Sequence, residues 1–200
     1  MGVDSSVEML RAARERCPTA SFQLADLSSW QPGRRFGVIL ANAVLQWVPG
    51  HGALLPALLG CLEPGGSLAV QMPDNLGEPA HQRMREVASS GPWAARLAGV
   101  VRPEGSRLDP AGYYRLLSGA GAAVDLWRTT YYHLLPGGIP DLIRWFLGTG
   151  LRPYLALLAE EERAAFLASY RSALEGAYLE LPGGALLLPF PRLFLVATLR

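Results

Sequence analysis

The chain contains no lysine: all 18 basic residues among its 200 are arginine. That absence removes Schiff-base chemistry and a lysine general base together. Cysteine is scarce as well. Cys17 and Cys61 lie too far apart for a CxxC or zinc spacing, which predicts a reduced, metal-free cytoplasmic protein. Cys61, in LLGCLEPGG, reads as a helix-packing residue. No stretch approaches the roughly 18 uninterrupted apolar residues of a membrane span, and no charged start precedes an apolar run of signal-peptide length. An excess of one charge is lacking too. Eighteen basic against 17 acidic residues give a net charge of +1, so nothing points to nucleic acid or a membrane surface, and a small-molecule substrate and a monomer are expected.

What is present is apolar. Half of the chain is hydrophobic, enough for one sizeable core, and one domain spanning 1–200 is expected. Glycine and proline punctuate the apolar runs without forming a low-complexity linker. After the short strand end at Asp4, SSVEMLRAARERC places Val7, Leu10, Ala13 and Cys17 on one helical face, with Ser5 or Ser6 as cap. SFQLAD alternates as a strand ending in Asp26, and Phe36 to Leu40 form an apolar strand opening into ANAVLQW. HGALLPALLGCLEPGG reads as a helix through Leu62 stopped by Pro64, Gly65 and Gly66, before the strand SLAVQMPDN.

Further on, Asp109 caps a helix with Pro110 in its first turn, the strand AVDLWRTTYYHLL follows, and PRLFLVATLR is the last strand. Between them, residues 136–188 read as mostly helical, with Phe166, Tyr170 and Leu174 four apart on one face. Such an insertion is expected to be a helical lid. Strands alternating with helices predict an α/β fold: a mostly parallel sheet covered on both faces, with ligands outside the carboxyl ends of its strands.

Four strand ends then carry the polar groups: Asp4, Asp26, the stretch from Ala41, and QMPDN from Gln71. Asp4 can accept both hydroxyls of a ribose. Asp26 can accept from an adenine amino group while Leu27 lies on the ring. Each aspartate has a plainer reading, a helix cap for Asp4 and a turn residue for Asp26.

The order of strand, acid, strand, acid, strand, Asn-Ala, helix, Pro-Gly-Gly, strand resembles a class I S-adenosylmethionine-dependent methyltransferase, a Rossmann-like fold, joined at its second strand. GVDSSVEML, ADLSSWQP, ILANAVLQWVP, LAVQMPDNLGEPAHQRMREVA, VDLWRTTYYH, TGLRPYL and FPRLFLVA together resemble the trans-aconitate 2-methyltransferase family, from about residue 2 to the last strand. The resemblance implies methyl transfer from S-adenosylmethionine to a carboxylate of trans-aconitate or a related di- or tricarboxylate. Cofactor binding then falls to Asp4, Ser5, Asp26, Leu27, Asn42 and Ala43, with Asn42 near the methionyl part. The acceptor falls to Arg152, Tyr132, His133 and Arg128, oriented by Gln71 and Asn75, with Arg192 a further cation. Arginine suits the task because its planar fork matches a carboxylate with two bonds.

No catalytic base is expected, since an acceptor carboxylate is ionised at neutral pH and positioning can do the work. Strand alternation puts Arg128, Thr130 and Tyr132 on one face and Thr129, Tyr131 and His133 on the other. Trp47 and Trp127 are candidate pocket walls, with packing as their plainer role. In the family a further strand with a glycine-rich turn lies between the second and fourth strands. The chain shows neither, so an amino-terminally shortened methyltransferase is expected, with an apolar gap and unpaired backbone groups at that place. Competing readings are a methyltransferase for a phenol or amine, which would need His51, His81 or His133 as base, a nicotinamide enzyme, and a non-catalytic fragment.

Overall fold

The computed structural model describes residues 1–101 and 107–200. Strands and helices alternate from the start: β1 (Gly2–Asp4), α1 (Val7–Arg16), β2 (Phe22–Leu24), β3 (Phe36–Asn42), α2 (His51–Gly60) and β4 (Leu62–Pro73). Then come α3 (Pro79–Ser90), α4 (Ala94–Leu97), α5 (Pro110–Gly119), β5 (Ala122–Leu135), α6 (Ile139–Leu147), α7 (Arg152–Leu155), α8 (Glu160–Leu174) and β6 (Leu186–Leu199). β1 pairs with β2 in parallel; a second sheet runs in the order β3-β4-β6-β5, with β3 and β4 parallel. β6 runs against β4. The Ser67 and Thr198 hydroxyls meet at 2.8 Å, and further along the Asp74 amide donates to the Pro191 carbonyl at 2.8 Å.

The chain forms two compact units. The first comprises Met1–Met72, Leu108–Trp127 and Phe194–Arg200. Its helices start where short polar side chains take a free amide: the Ser6 hydroxyl accepts from Met9 at 3.2 Å, and the Asp109 carboxylate from Gly112 at 2.6 Å. Leu55, Leu58 and Leu59 of α2, Leu62 and Leu68 of β4, Tyr113 and Leu117 of α5, and Leu195 of β6 are among its buried residues. His51 ties this core together. Its Nδ1 lies 2.7 Å from the Tyr113 hydroxyl and its Nε2 2.9 Å from the Leu45 carbonyl.

Two local expectations change here. Helix α2 ends at Gly60, because the Phe36 amide bonds the Cys61 carbonyl at 2.9 Å and Phe36 pairs with Leu62, drawing the chain into β4 before the Pro-Gly-Gly. That turn is instead an irregularity within β4, opposite Phe36 to Val38, and a Cβ on Gly66 would lie 2.9 Å from the carbonyls of Glu63 and Phe36. In α1 only Leu10 is buried; Val7, expected on the same apolar face, is 65% exposed. The open side of the first sheet explains this, since β1 is paired only with β2 and β3 only with β4, leaving one edge of each free in the described residues.

The second unit comprises Pro73–Arg107 and Arg128–Leu193. Phe166, Tyr170 and Leu174 of α8 are fully buried against Met84 and Ala88 of α3, Trp93, Leu142 and Phe146 of α6, and Tyr154 of α7. The four-residue spacing therefore marks a core face. The last α-helix within 136–188 ends at Leu174, a short 3-10 turn follows at Pro182–Gly184, and β6 begins at Leu186, earlier than PRLFLVATLR suggested. Tyr170 donates to the Ala80 carbonyl at 3.1 Å, and the Ala80 amide donates to the Tyr178 hydroxyl at 2.9 Å, so two phenols hold the start of α3. Burial raises the pKa of Tyr170 above that of an ordinary tyrosine, and burial pushes Tyr178 up to about 12.

Phe166→Ala should cost about 3–5 kcal/mol, read as a fall in melting temperature of roughly 6–20 °C, while Leu179→Ala, at 83% exposure, should stay within about 0.5 kcal/mol. Equal effects would contradict the assignment of this core. The two phenols also set an alkaline limit. Below about pH 10 folded and unfolded chains both keep these protons, but above it the unfolded chain releases them while the folded one holds them, so stability falls as pH rises. With no lysine to titrate, urea unfolding between about pH 9 and 12 should show a slope that Tyr178→Phe flattens. An unchanged slope would place the alkaline sensitivity elsewhere.

Candidate functional site

The ends of β1, β2 and β3 open into one cleft of about 990 Å³ in the first unit. Asp4, Ser5, Asp26, Leu27, Asn42 and Ala43, the whole set expected to hold a cofactor, line it together. The plainer reading holds for Asp26 as a turn residue, whereas the cap of α1 is Ser6 and Asp4 fixes the turn before it. Asp4 Oδ1 accepts the Ser6 amide at 2.7 Å, and Asp26 Oδ1 accepts the Ser28 amide at 2.8 Å and hydroxyl at 2.6 Å. These bonds hold the Asp26 carboxyl below the usual carboxylate range, the Ser28 hydroxyl contributing most. Each carboxylate is thereby fixed by one oxygen, and the other oxygen has no partner among the described residues. Turn residue and ligand acceptor are compatible roles.

Ala43 is the one non-glycine among the described residues with positive φ, at 52°. A residue with a Cβ is held there at a cost, and its amide bonds the Gln71 carbonyl at 2.8 Å, pinning the turn after β3 to β4. The Gln71 side chain is buried, and its Nε2 has no hydrogen-bond partner among the described residues. A buried donor left without an acceptor costs about 1–3 kcal/mol, which a ligand oxygen would recover. The apolar wall of the cleft includes Val38 and Leu40, 66% and 71% exposed, and Trp47, 51% exposed.

In the second unit the acceptor candidates separate. Arg128 is committed: its Nη2 lies 2.9 Å from Asp74 Oδ2 and donates to the Asp74 carbonyl at 3.0 Å. Asn75, next to it, is buried and its carbonyl accepts from the Glu78 amide at 3.0 Å. Burial raises the Glu78 carboxyl above its ordinary pKa, with Arg128 opposing and Asp74 adding to the shift. Tyr132, 66% exposed, shares the Arg128 face of β5. On the opposite face His133 lies 4.7 Å from the Trp145 ring and 5.7 Å from Phe190. Arg152 opens α7, exposed, with no side-chain partner among the described residues.

Sequence reasoning left out Trp145 and Phe190. The alternation Phe190, Arg192, Phe194 along β6 was the available signal, obscured by the prolines at 189 and 191. No imidazole is placed as a free base in the first unit, where both His51 nitrogens are engaged within the core. No helix among the described residues is long and apolar enough to cross a membrane.

Comparison with known proteins agrees with this arrangement. A family described as a methyltransferase domain matches residues 1–70. The trans-aconitate 2-methyltransferase of Methylobacterium radiotolerans is 51% identical over 199 residues, covering 98% of this chain and 76% of the relative. That of Azoarcus sp. is 49% identical over 198 residues, covering 99% of this chain and 77% of the relative. Among solved structures, the YcgJ protein of Bacillus subtilis superposes with a TM-score of 0.58 at 13% identity, covering all of this chain and 81% of that one. The phosphoethanolamine N-methyltransferase 2 of Haemonchus contortus, solved with S-adenosyl-L-methionine, gives a TM-score of 0.51 at 14% identity, covering all of this chain and 43% of that one. The structural likenesses establish a class I methyltransferase fold, and by the identity and extent of the sequence matches the chain belongs to the trans-aconitate 2-methyltransferase family.

Proposed function

We propose that this chain methylates a carboxylate of trans-aconitate, with S-adenosylmethionine as methyl donor, giving the monomethyl ester and S-adenosylhomocysteine. The observation that carries the reading is the single cleft at the ends of β1, β2 and β3, where all six expected cofactor residues converge. Its residues fit the donor. The unpartnered oxygen of Asp4 suits ribose hydroxyls, that of Asp26 suits an adenine amino group, and Leu27 offers the ring an apolar face. Asn42 and Ala43 close the same cleft at the end of β3. When bound, S-adenosylmethionine supplies an electrophilic methyl group on a sulfonium.

What the protein adds is position. A carboxylate, with an ordinary pKa of about 4, is already ionised at neutral pH, so no side chain has to remove a proton. Holding reactants in line can account for roughly 7–11 kcal/mol of barrier lowering. Both nitrogens of His51 are engaged, so that imidazole is not free to serve as the base a phenol or amine acceptor would need. Cationic side chains without carboxylate partners, Arg152 and Arg192, suit a polyanionic acceptor.

Asp4→Ala removes a charged acceptor and should weaken S-adenosylhomocysteine binding by roughly 10- to 100-fold in a calorimetric titration, with trans-aconitate affinity unchanged. Wild-type affinity in that variant would remove Asp4 from the site. The pH profile of kcat/KM for trans-aconitate should be flat from about pH 6 to 8, because no group has to lose a proton in that window. A limb rising through the imidazole range would instead point to an acceptor that needs a base.

A further inference from the structure

We infer that Arg192 binds a carboxylate of the acceptor, on a wall built by Phe190, His133 and Trp145 within the second unit; this rests on the reaction proposed above. Five arginines of the second unit are paired with carboxylates. Arg83 pairs with Glu86 at 2.6 Å, Arg128 with Asp74 at 2.9 Å, Arg144 with Asp141 at 2.7 Å, Arg163 with Glu160 at 3.1 Å, and Arg96 with Glu162. Arg192 is different: half-buried on β6, it has no carboxylate partner among the described residues. Its guanidinium carbon sits 5.1 Å from the centroid of Phe190. A cation over an aromatic face recovers only part of the hydration lost on burial, so an anion would complete the site.

Three further observations say what kind of anion and where. The Pro191 carbonyl, adjacent to Arg192, accepts the Asp74 amide at 2.8 Å, so the arginine stands beside the chain leaving the carboxyl end of β4. Ligands of open α/β sheets gather outside such ends. Asp74 itself is neutralised by Arg128, which leaves the charge of Arg192 available. Phe190 meets His133 edge-on, 5.7 Å apart at 77°, and Trp145 6.2 Å away at 62°, while His133 and Trp145 lie 4.7 Å apart. Flat aromatic surfaces beside a planar cation favour a flat, conjugated polycarboxylate, whose carboxylate can take two parallel bonds from the guanidinium. The more exposed Arg152 has no such wall, which makes Arg192 the more selective of the two cations.

The test uses the full chain and three proteins: wild type, Arg192→Gln and Arg192→Lys. In Arg192→Gln, KM for trans-aconitate should rise roughly 10- to 100-fold, with kcat within about 3-fold and KM for S-adenosylmethionine unchanged. Arg192→Lys should recover part of the loss, since it restores charge but not the planar fork. A merely structural arginine would move both KM values together or lower the melting temperature, and either result, like an unchanged KM for trans-aconitate, overturns the inference. Should Arg192→Gln fail to fold, Arg192→Lys alone decides, by the same separation of the two KM values. Failure of wild type to methylate trans-aconitate would instead overturn the reaction itself; calorimetric titration of trans-aconitate into wild type and Arg192→Lys then still decides the arginine's role, equal affinities counting against it.

Discussion

The open backbone edges of β1 and β3 govern how the first unit behaves. Each strand is hydrogen-bonded on one side only, to β2 and to β4 respectively, and the cleft lies along their free sides. Backbone amides and carbonyls without partners must find them in solvent or in a ligand, because leaving them dry costs as much as a lost hydrogen bond. The same edges explain why Val38 and Leu40, typical inner-strand residues, stand exposed, and why α1 buries little besides Leu10. Free strand edges are also the least protected part of a sheet. The cleft is thus both the place best supplied with hydrogen-bonding groups and the place where the unit's own contacts are thinnest.

Around that cleft, side chains do two tasks at once. Asp4 and Asp26 each fix a turn with one oxygen, and the second has no partner among the described residues, so their position does not depend on a ligand being there. Such preorganisation lets binding proceed without first ordering the acceptor groups. In the second unit the same economy applies to charge. Arginine–carboxylate pairs neutralise several cations locally, while Arg152 and Arg192, without such partners among the described residues, differ in surroundings, one exposed and one set on an aromatic ring. A chain lacking lysine has to meet both needs with one residue type, and it distinguishes them by neighbours.

Much of this was legible in the sequence, for physical reasons that can be named. Ser6 and Asp109 announced their helices because a cap is a local bond between a side chain and an amide two or three residues on. That Asp4, Asp26 and Asn42 would meet around one cleft was legible because they follow strand ends, which apolar alternation marks. Less legible was anything settled by distant partners. The end of α2 moved to Gly60 because Phe36, far back in the chain, captured Cys61 and Leu62. Arg128 looked as available as Arg192 until Asp74 was found against it, and nothing in WRTTYYH announces that ion pair. His133 stood as a lone imidazole in the sequence, whereas the structure sets it among Trp145 and Phe190, residues on separate elements that only folding brings together.

The strand-end cleft is the proposed seat of the methyl donor. A crystal structure of the chain grown with S-adenosylhomocysteine tests it most directly. The account predicts the nucleoside in the cleft, its ribose hydroxyls on Asp4, its adenine against Leu27 with the amino group on Asp26, and its amino-acid part toward Asn42 and Ala43. Nucleoside density lying elsewhere, with Asp4 and Asp26 engaged only in their own turns, would contradict it.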